Sequence, residues 1–116
     1  MRIMNSSGST IAYVEDGRVM SASRSTIGYI RDGRVSKSSG STIGYVENGY
    51  VMNSSRSTIG RYDRSSIMSS SGSTRFRLSS SSVNSSSGST ILRTDRDPRD
   101  YLEEIVAYVV FFSDLW

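Results

Sequence analysis

Apolar and polar positions along this chain recur every 16 residues. Thr10, Thr26, Thr42, Thr58, Thr74 and Thr90 keep that spacing, and Ser-Thr-Ile ends at Ile11, Ile27, Ile43, Ile59 and Ile91. The fifth copy departs from the pattern as Ser73-Thr74-Arg75. Val19, Val35, Val51, Ile67 and Val83 follow the same period, as do the dipeptides Asp16-Gly17, Asp32-Gly33 and Asn48-Gly49. A further position reads Gly8, Arg24, Gly40, Arg56, Gly72, Gly88, which points to duplication of a 32-residue pair as well as of one unit. Fixed-period self-similarity is the mark of a repeat architecture.

Asp-Gly or Asn-Gly between alternating apolar residues predicts a β-hairpin with a type I′ turn, whose two central residues need positive φ. Such a turn pairs Val14 with Val19, Ile30 with Val35 and Val46 with Val51. Side chains alternate across a strand. Ala12, Val14 and Val19 therefore share one face, and Ile11, Tyr13, Glu15, Arg18 and Met20 share the other. The first face repeats small residues at Ala12, Gly28, Gly44 and Gly60. Strand glycine marks close approach by another element, so this face is expected to point inward. Ser-rich segments such as Ser36 to Ser41 are loops between hairpins. The fourth unit has Arg64-Ser65 and the fifth Ser80-Ser81 where Asp-Gly belongs, so looser turns and weaker strands are expected there. Residues 2–5 match a second strand and residues 90–93 a first strand. The two half-hairpins are expected to pair and close a ring, which removes sheet edges.

The pattern changes after Arg93. Asp97-Pro98 is a helix start, with Asp as N-cap and Pro at the first helical position. Tyr101, Ile105, Val109 and Phe112 then fall on one helical face, and Leu102, Val106 and Val110 make the segment apolar nearly all round. A helix of that kind is buried. The β-branched run from Ile105 to Val110 also admits a strand. The expected organisation is a hairpin domain over 1–96 and an apolar helix over 97–116. That helix either packs on or in the ring or docks to another copy of the chain.

The units at 27–35 and 43–51, with 11–19 close behind, resemble those of the bacterial β-flower proteins of five-fold type, and the resemblance spans about residues 1–93. It implies an all-β ring of short hairpins. It brings no established activity and no catalytic residues.

Composition narrows the chemistry. The 116 residues allow one small domain, and only 35% of them are hydrophobic. The net charge is +3, and Lys37 is the one lysine. No cysteine and no histidine occur, which removes disulfides, thiolate metal sites and the usual general base. No signal peptide is visible, and the longest apolar run, Ile105 to Phe112, is far too short for a membrane span.

Enzyme chemistry is not expected. Serines have no histidine to activate them, and Lys37 lies in a loop. Glu103 and Glu104 are adjacent and diverge on a helix, so they do not form an acid–base pair. Asp16, Asp32 and Asn48 are separated by whole units and are explained as turn residues rather than calcium ligands. No metal or other cofactor is expected.

The leading expectation is a structural or protein-interaction module. An alternative is binding of an anionic polymer, glycan or nucleic acid, by Tyr13, Tyr29 and Tyr45 with Arg18 and Arg34, supplemented by Arg24, Arg31 and Arg56. The plainer reading of those tyrosines is packing between hairpins. A second alternative is a β-solenoid with a flat threonine ladder, as in ice-binding proteins.

Overall fold

The computed structural model describes residues 1–116. Twelve short strands run in chain order: β1 Arg2–Asn5, β2 Thr10–Glu15, β3 Arg18–Ser21, β4 Thr26–Arg31, β5 Arg34–Lys37, β6 Thr42–Glu47, β7 Tyr50–Asn53, β8 Thr58–Tyr62, β9 Ser66–Ser69, β10 Thr74–Leu78, β11 Ser82–Ser85 and β12 Thr90–Thr94. Each pairs antiparallel with its chain neighbours, and β1 pairs with β12, so the sheet closes. The two half-hairpins thus form a sixth pair. One hydrogen bond recurs at every junction: Val14, Ile30, Val46, Tyr62, Leu78 and Thr94 donate N–H to the carbonyls of Met1, Gly17, Gly33, Gly49, Ser65 and Ser81. All six lie between 2.7 and 2.9 Å. A closed antiparallel ring rules out the solenoid, because the threonines sit on separate strands that alternate with returning ones.

Turn chemistry explains one rim. Asp16, Asp32 and Asn48 have φ of 51°, 51° and 53°, and each is followed by a glycine at positive φ, as a type I′ turn requires. The fourth turn corrects the expectation of looseness. Asp63 accepts from Ser65 N (2.8 Å), Ser65 Oγ (2.9 Å), Ser66 N (2.9 Å) and Ser66 Oγ (3.2 Å). An aspartate side chain that mimics a backbone turn replaces the positive-φ dipeptide. In the fifth turn Ser79 N donates to Ser82 O at 3.0 Å. In the split sixth, Asp95 Oδ1 accepts from Arg2 N at 2.7 Å. All the strands flanking these turns are formed.

The other rim carries the Ser-rich loops. Asn5 and Asn53 Oδ1 each accept from the backbone N–H two and four residues on, at 3.0 to 3.1 Å. Ser21, Ser69 and Ser85 Oγ accept from the N–H four residues on, at 3.1 to 3.2 Å. Serine abundance therefore reflects short polar turn chemistry rather than disorder.

The inner wall is built in three tiers. Ile3, Val19, Val35, Val51, Ile67 and Val83 form one, each with no exposed surface. Opposite them across each junction stand Ala12, Gly28, Gly44, Gly60, Phe76 and Leu92. Val14, Ile30, Val46, Tyr62, Leu78 and Thr94 form the third tier and are all buried. Met20 keeps the Tyr13 side of the wall, directly opposite that residue, and is buried there rather than in the core. A β-bulge shifts the register between Val19 and Met20, and the Arg18 guanidinium lies 3.7 Å from its sulfur.

Twelve strands enclose more space than wall side chains can fill. The C-terminal segment occupies it. A 3₁₀ turn (Pro98–Tyr101) leads into α1 (Leu102–Ala107), which ends in a π-helical turn (Tyr108–Phe112). Asp97 caps the start by accepting from Arg99 N at 2.9 Å. Ile105, Val106, Ala107 and Val109 have no exposed surface and belong to the same core as the wall. The molecule is a disc of 35 × 34 × 22 Å. Fifteen helical residues span about 22 Å, so the helical segment matches the disc's thickness.

The glycine stripe now has its cause. A Cβ on Gly28 would collide with the Phe112 ring and stand 2.7 Å from the Ser36 carbonyl oxygen, and one on Gly44 would collide with the Phe111 ring and stand 2.6 Å from the Met52 carbonyl oxygen. A Cβ on Gly60 would stand 2.9 Å from Trp116. The tail's aromatic side chains fill the space left by three missing side chains. Next along the ring, Phe76 replaces glycine and lies 6.4 Å from the Trp116 ring, centroid to centroid. Arg75, the departure from Ser-Thr-Ile, sits 4.3 Å from that ring's centroid and donates to the Trp116 carbonyl at 2.7 Å.

Candidate binding surface on the outer wall

The wall's outward positions follow from the same registers. At the junctions, Arg2 faces Tyr13, Arg18 faces Tyr29 and Arg34 faces Tyr45. Beyond them the order reverses: Tyr50 faces Arg61, Ser66 faces Arg77 and Ser82 faces Arg93. Every junction thus presents one arginine, carried by the earlier strand three times and by the later strand three times. All six are exposed, and none is ion-paired. They form a belt. Successive belt arginines are mostly two strands apart, or about 10 Å.

Of the residues singled out from the sequence, Tyr13, Tyr29 and Tyr45 are half-buried on this wall, and Arg18 and Arg34 are exposed beside them. Two of the three tyrosines are covered. The Arg24 guanidinium lies 4.0 Å from the Tyr13 ring centroid and pairs with Glu15 at 3.4 Å. Arg56 lies 3.9 Å from Tyr45 and pairs with Glu47 at 3.1 Å. Tyr29 has only Arg31, at 5.1 Å. A guanidinium against an aromatic face gains from the ring quadrupole.

These contacts have a backbone cost. Arg24 and Arg56 adopt φ of 69° and 68°, while Gly8, Gly40, Gly72 and Gly88 fill the same place in the other loops at 93° to 98°. A left-handed non-glycine residue costs about 1 kcal/mol. The alternation seen in the sequence is therefore a choice between a relaxed loop and an arginine laid over a tyrosine.

Two clefts open beside these groups. The larger, about 910 Å³, runs from Arg2, Tyr13, Glu15 and Arg24 over the turn rim to Tyr101, Glu103 and Glu104. The smaller, about 540 Å³, is lined by Arg31, Asp32, Arg34, Tyr45, Glu47 and Arg56. At the mouth of the ring, burial raises the carboxyls of Glu103 and Glu104, and neighbouring Glu47 adds to the rise at Glu103. Hydrogen bonds from Arg99 hold Asp97 down to about 2.

The four helix residues named from the sequence face the ring's own interior: Ile105 and Val109 are fully buried, and Tyr101 and Phe112 pack against the core while partly exposed. The sequence reading did not find Arg2, Arg61, Arg77 and Arg93 as belt members, nor Glu15 and Glu47 as partners of Arg24 and Arg56. The alternation of glycine and arginine in the loops was the available signal for the latter.

A closed ring of short hairpins, plugged by its own helix, can now be set beside known proteins. The chain matches the family described as 5-fold beta-flower protein over residues 1–113. It belongs to that family. This β-flower has six strand pairs, of which five are continuous hairpins and one joins the two ends of the sheet. No curated protein and no solved structure matches the chain. Family membership gives the repeat architecture and leaves the activity to be argued from the wall itself.

Proposed function

We propose that this β-flower is a non-enzymatic binding module that holds an anionic polymer against its outer wall. One observation carries the reading: an exposed arginine without an acidic partner stands at each of the six junctions. Glu15 and Glu47 also stand on the wall but are paired with Arg24 and Arg56, while Asp16, Asp32, Asp63, Asp95 and Asp100 lie at the turns and the helix start. A continuous positive belt on a rigid ring attracts a polyanion with no conformational change required of the protein. Covering of Tyr13 and Tyr45 by guanidinium groups leaves little aromatic face for base stacking. The partner favoured is therefore an acidic glycan rather than a single-stranded nucleic acid.

Heparin is a suitable first probe. Binding at low salt is expected to weaken steeply as ionic strength rises, and to fall at least tenfold in an Arg18→Ser/Arg34→Ser/Arg77→Ser variant. No retention at low salt, or retention unchanged by the triple substitution, contradicts the proposal. A single-stranded oligonucleotide of equal charge that binds more tightly than heparin would reverse the choice of polymer.

Association of two copies is a second reading, supported by one feature. Phe111, Phe112, Leu115 and Trp116 remain partly exposed at the end of the plug. Solution mass measured across concentration tests it. A monomer throughout the accessible range removes it.

A further inference from the structure

We infer that the outer wall carries two notches built from the same four residue types, one at Tyr13 and one at Tyr45, each shaped to hold one carboxylate-bearing sugar unit. The inference rests on the proposed glycan reading and deepens it from a charged belt to discrete subsites.

The first support is recurrence. Arg2, Tyr13, Glu15 and Arg24 return 32 residues later as Arg34, Tyr45, Glu47 and Arg56, in the same arrangement. Both described clefts include all four members of one set. The unit between them breaks the set: Arg31 stands where a glutamate would be and Gly40 where an arginine would be. The second support is the left-handed backbone of Arg24 and Arg56, because a strained residue in an exposed loop signals a role beyond loop closure.

The chemistry of each notch is mixed in a way that a bare polyanion does not need. On one side stands a guanidinium with no ion-pair partner, Arg2 or Arg34, able to take a carboxylate in a two-pronged hydrogen bond. On the other stands a carboxylate, Glu15 or Glu47, already held by the arginine above the tyrosine. A carboxylate accepts from sugar hydroxyls and repels a second anion. The pair therefore favours a unit with one acid group and neighbouring hydroxyls, a hexuronate, over a densely sulfated or phosphorylated one. The smaller cleft, about 540 Å³, falls in the size range of small-molecule sites. Tyr13 lies on β2 and Tyr45 on β6, four strands or about 19 Å apart around the wall. An oligomer long enough to span that distance gains from engaging both notches.

Galacturonate oligomers of defined length test this by calorimetry. Short oligomers are expected to bind at two sites per chain. Longer ones, able to reach both notches, are expected to bind at least tenfold more tightly at one per chain. Arg24→Gly installs the residue that four sister loops already use, so the ring folds. It should reduce the short-oligomer stoichiometry from two to one, and Arg24→Gly/Arg56→Gly should abolish that binding. Glu47→Gln keeps the shape and should weaken its own site at least fivefold. Two sites retained in Arg24→Gly/Arg56→Gly, or no short-oligomer binding by the unaltered chain, overturns the inference. Failure of the belt shows separately, as loss of heparin retention; heparin binding without uronate binding defeats the notches alone.

Discussion

The two halves of the ring solve the same problem with different residues. From β2 to β7 the units carry Asp-Gly or Asn-Gly turns, small residues on the middle tier of the inner wall, and tyrosine outside. From β8 onward the turns become Asp63 with Ser65 and Ser66, or serine alone, the middle tier passes from Gly60 to Phe76 and Leu92, and the outer positions become Arg61, Arg77 and Arg93. Backbone pairing is the same in both, down to the hydrogen bond that recurs at each junction. The repeat has not decayed along the chain. One helix with an aromatic end has no six-fold symmetry, so a ring closed around it is smallest at Gly28, Gly44 and Gly60, where Phe112, Phe111 and Trp116 press, and carries bulk at Phe76 and Leu92.

The comparison is broken most directly on the large side. Phe76→Ala should cost about 3–5 kcal/mol, since it empties a buried ring site and removes the neighbour of the Trp116 ring. Chemical denaturation measures it, and a cost below about 1 kcal/mol would mean that the wall does not need bulk there.

Next in size is the turn contrast. Asp63→Ala removes the acceptor of four hydrogen bonds and should cost about 1–2 kcal/mol. Those bonds hold the Asp63 carboxyl below its ordinary 3.8, with the Ser65 N–H the largest influence. A lowered folded value means that this stabilisation is present above 3.8 and is lost as pH falls through the folded value. The difference in melting temperature between the unaltered chain and the variant should therefore shrink in acid.

Glu104 behaves in the opposite sense. Burial raises its carboxyl above the ordinary 4.5, so the charged form opposes folding at neutral pH. As pH falls through the raised folded value toward 4.5, that opposition disappears. Glu104→Gln should raise the melting temperature at pH 7 by a few degrees, with the gain fading toward pH 4. A gain that persists at low pH would assign the effect to something other than titration. The smallest change belongs to the regular half: Asp16→Asn copies Asn48 and should alter stability by less than about 0.5 kcal/mol.

Much of the architecture was legible in the sequence because hairpins are local. A two-residue turn fixes its own register, so Val14 with Val19 and Ile30 with Val35 followed from spacing, and the helix start followed from Asp97-Pro98. Closure was readable from the matching half-hairpins. The fourth turn was not, because an aspartate one residue earlier performs by side chain what positive φ performs in its sisters. The glycine face was readable as crowded, but its occupants lie far along the chain, at 111, 112 and 116. The arginine belt was hidden for a related reason. Its members keep a 16-residue spacing within each triplet, at 2, 18 and 34 and again at 61, 77 and 93, but the two triplets stand on opposite strands of the junction. Equivalence on the wall is set by pairing, not by position in the repeat.

A double-mutant cycle on Gly44 and Phe111 tests most directly whether the tail sets the ring's asymmetry. Ala12 shows that the middle tier can accept a Cβ. Gly44→Ala alone should destabilise by about 1–3 kcal/mol through overpacking against the Phe111 ring. In a Phe111→Leu background, where the ring is gone, the same substitution should cost at least about 1 kcal/mol less, which appears as coupling between the two sites. Costs that simply add, within about 0.5 kcal/mol, would show that Gly44 is small for reasons unrelated to the helix end and would contradict the account.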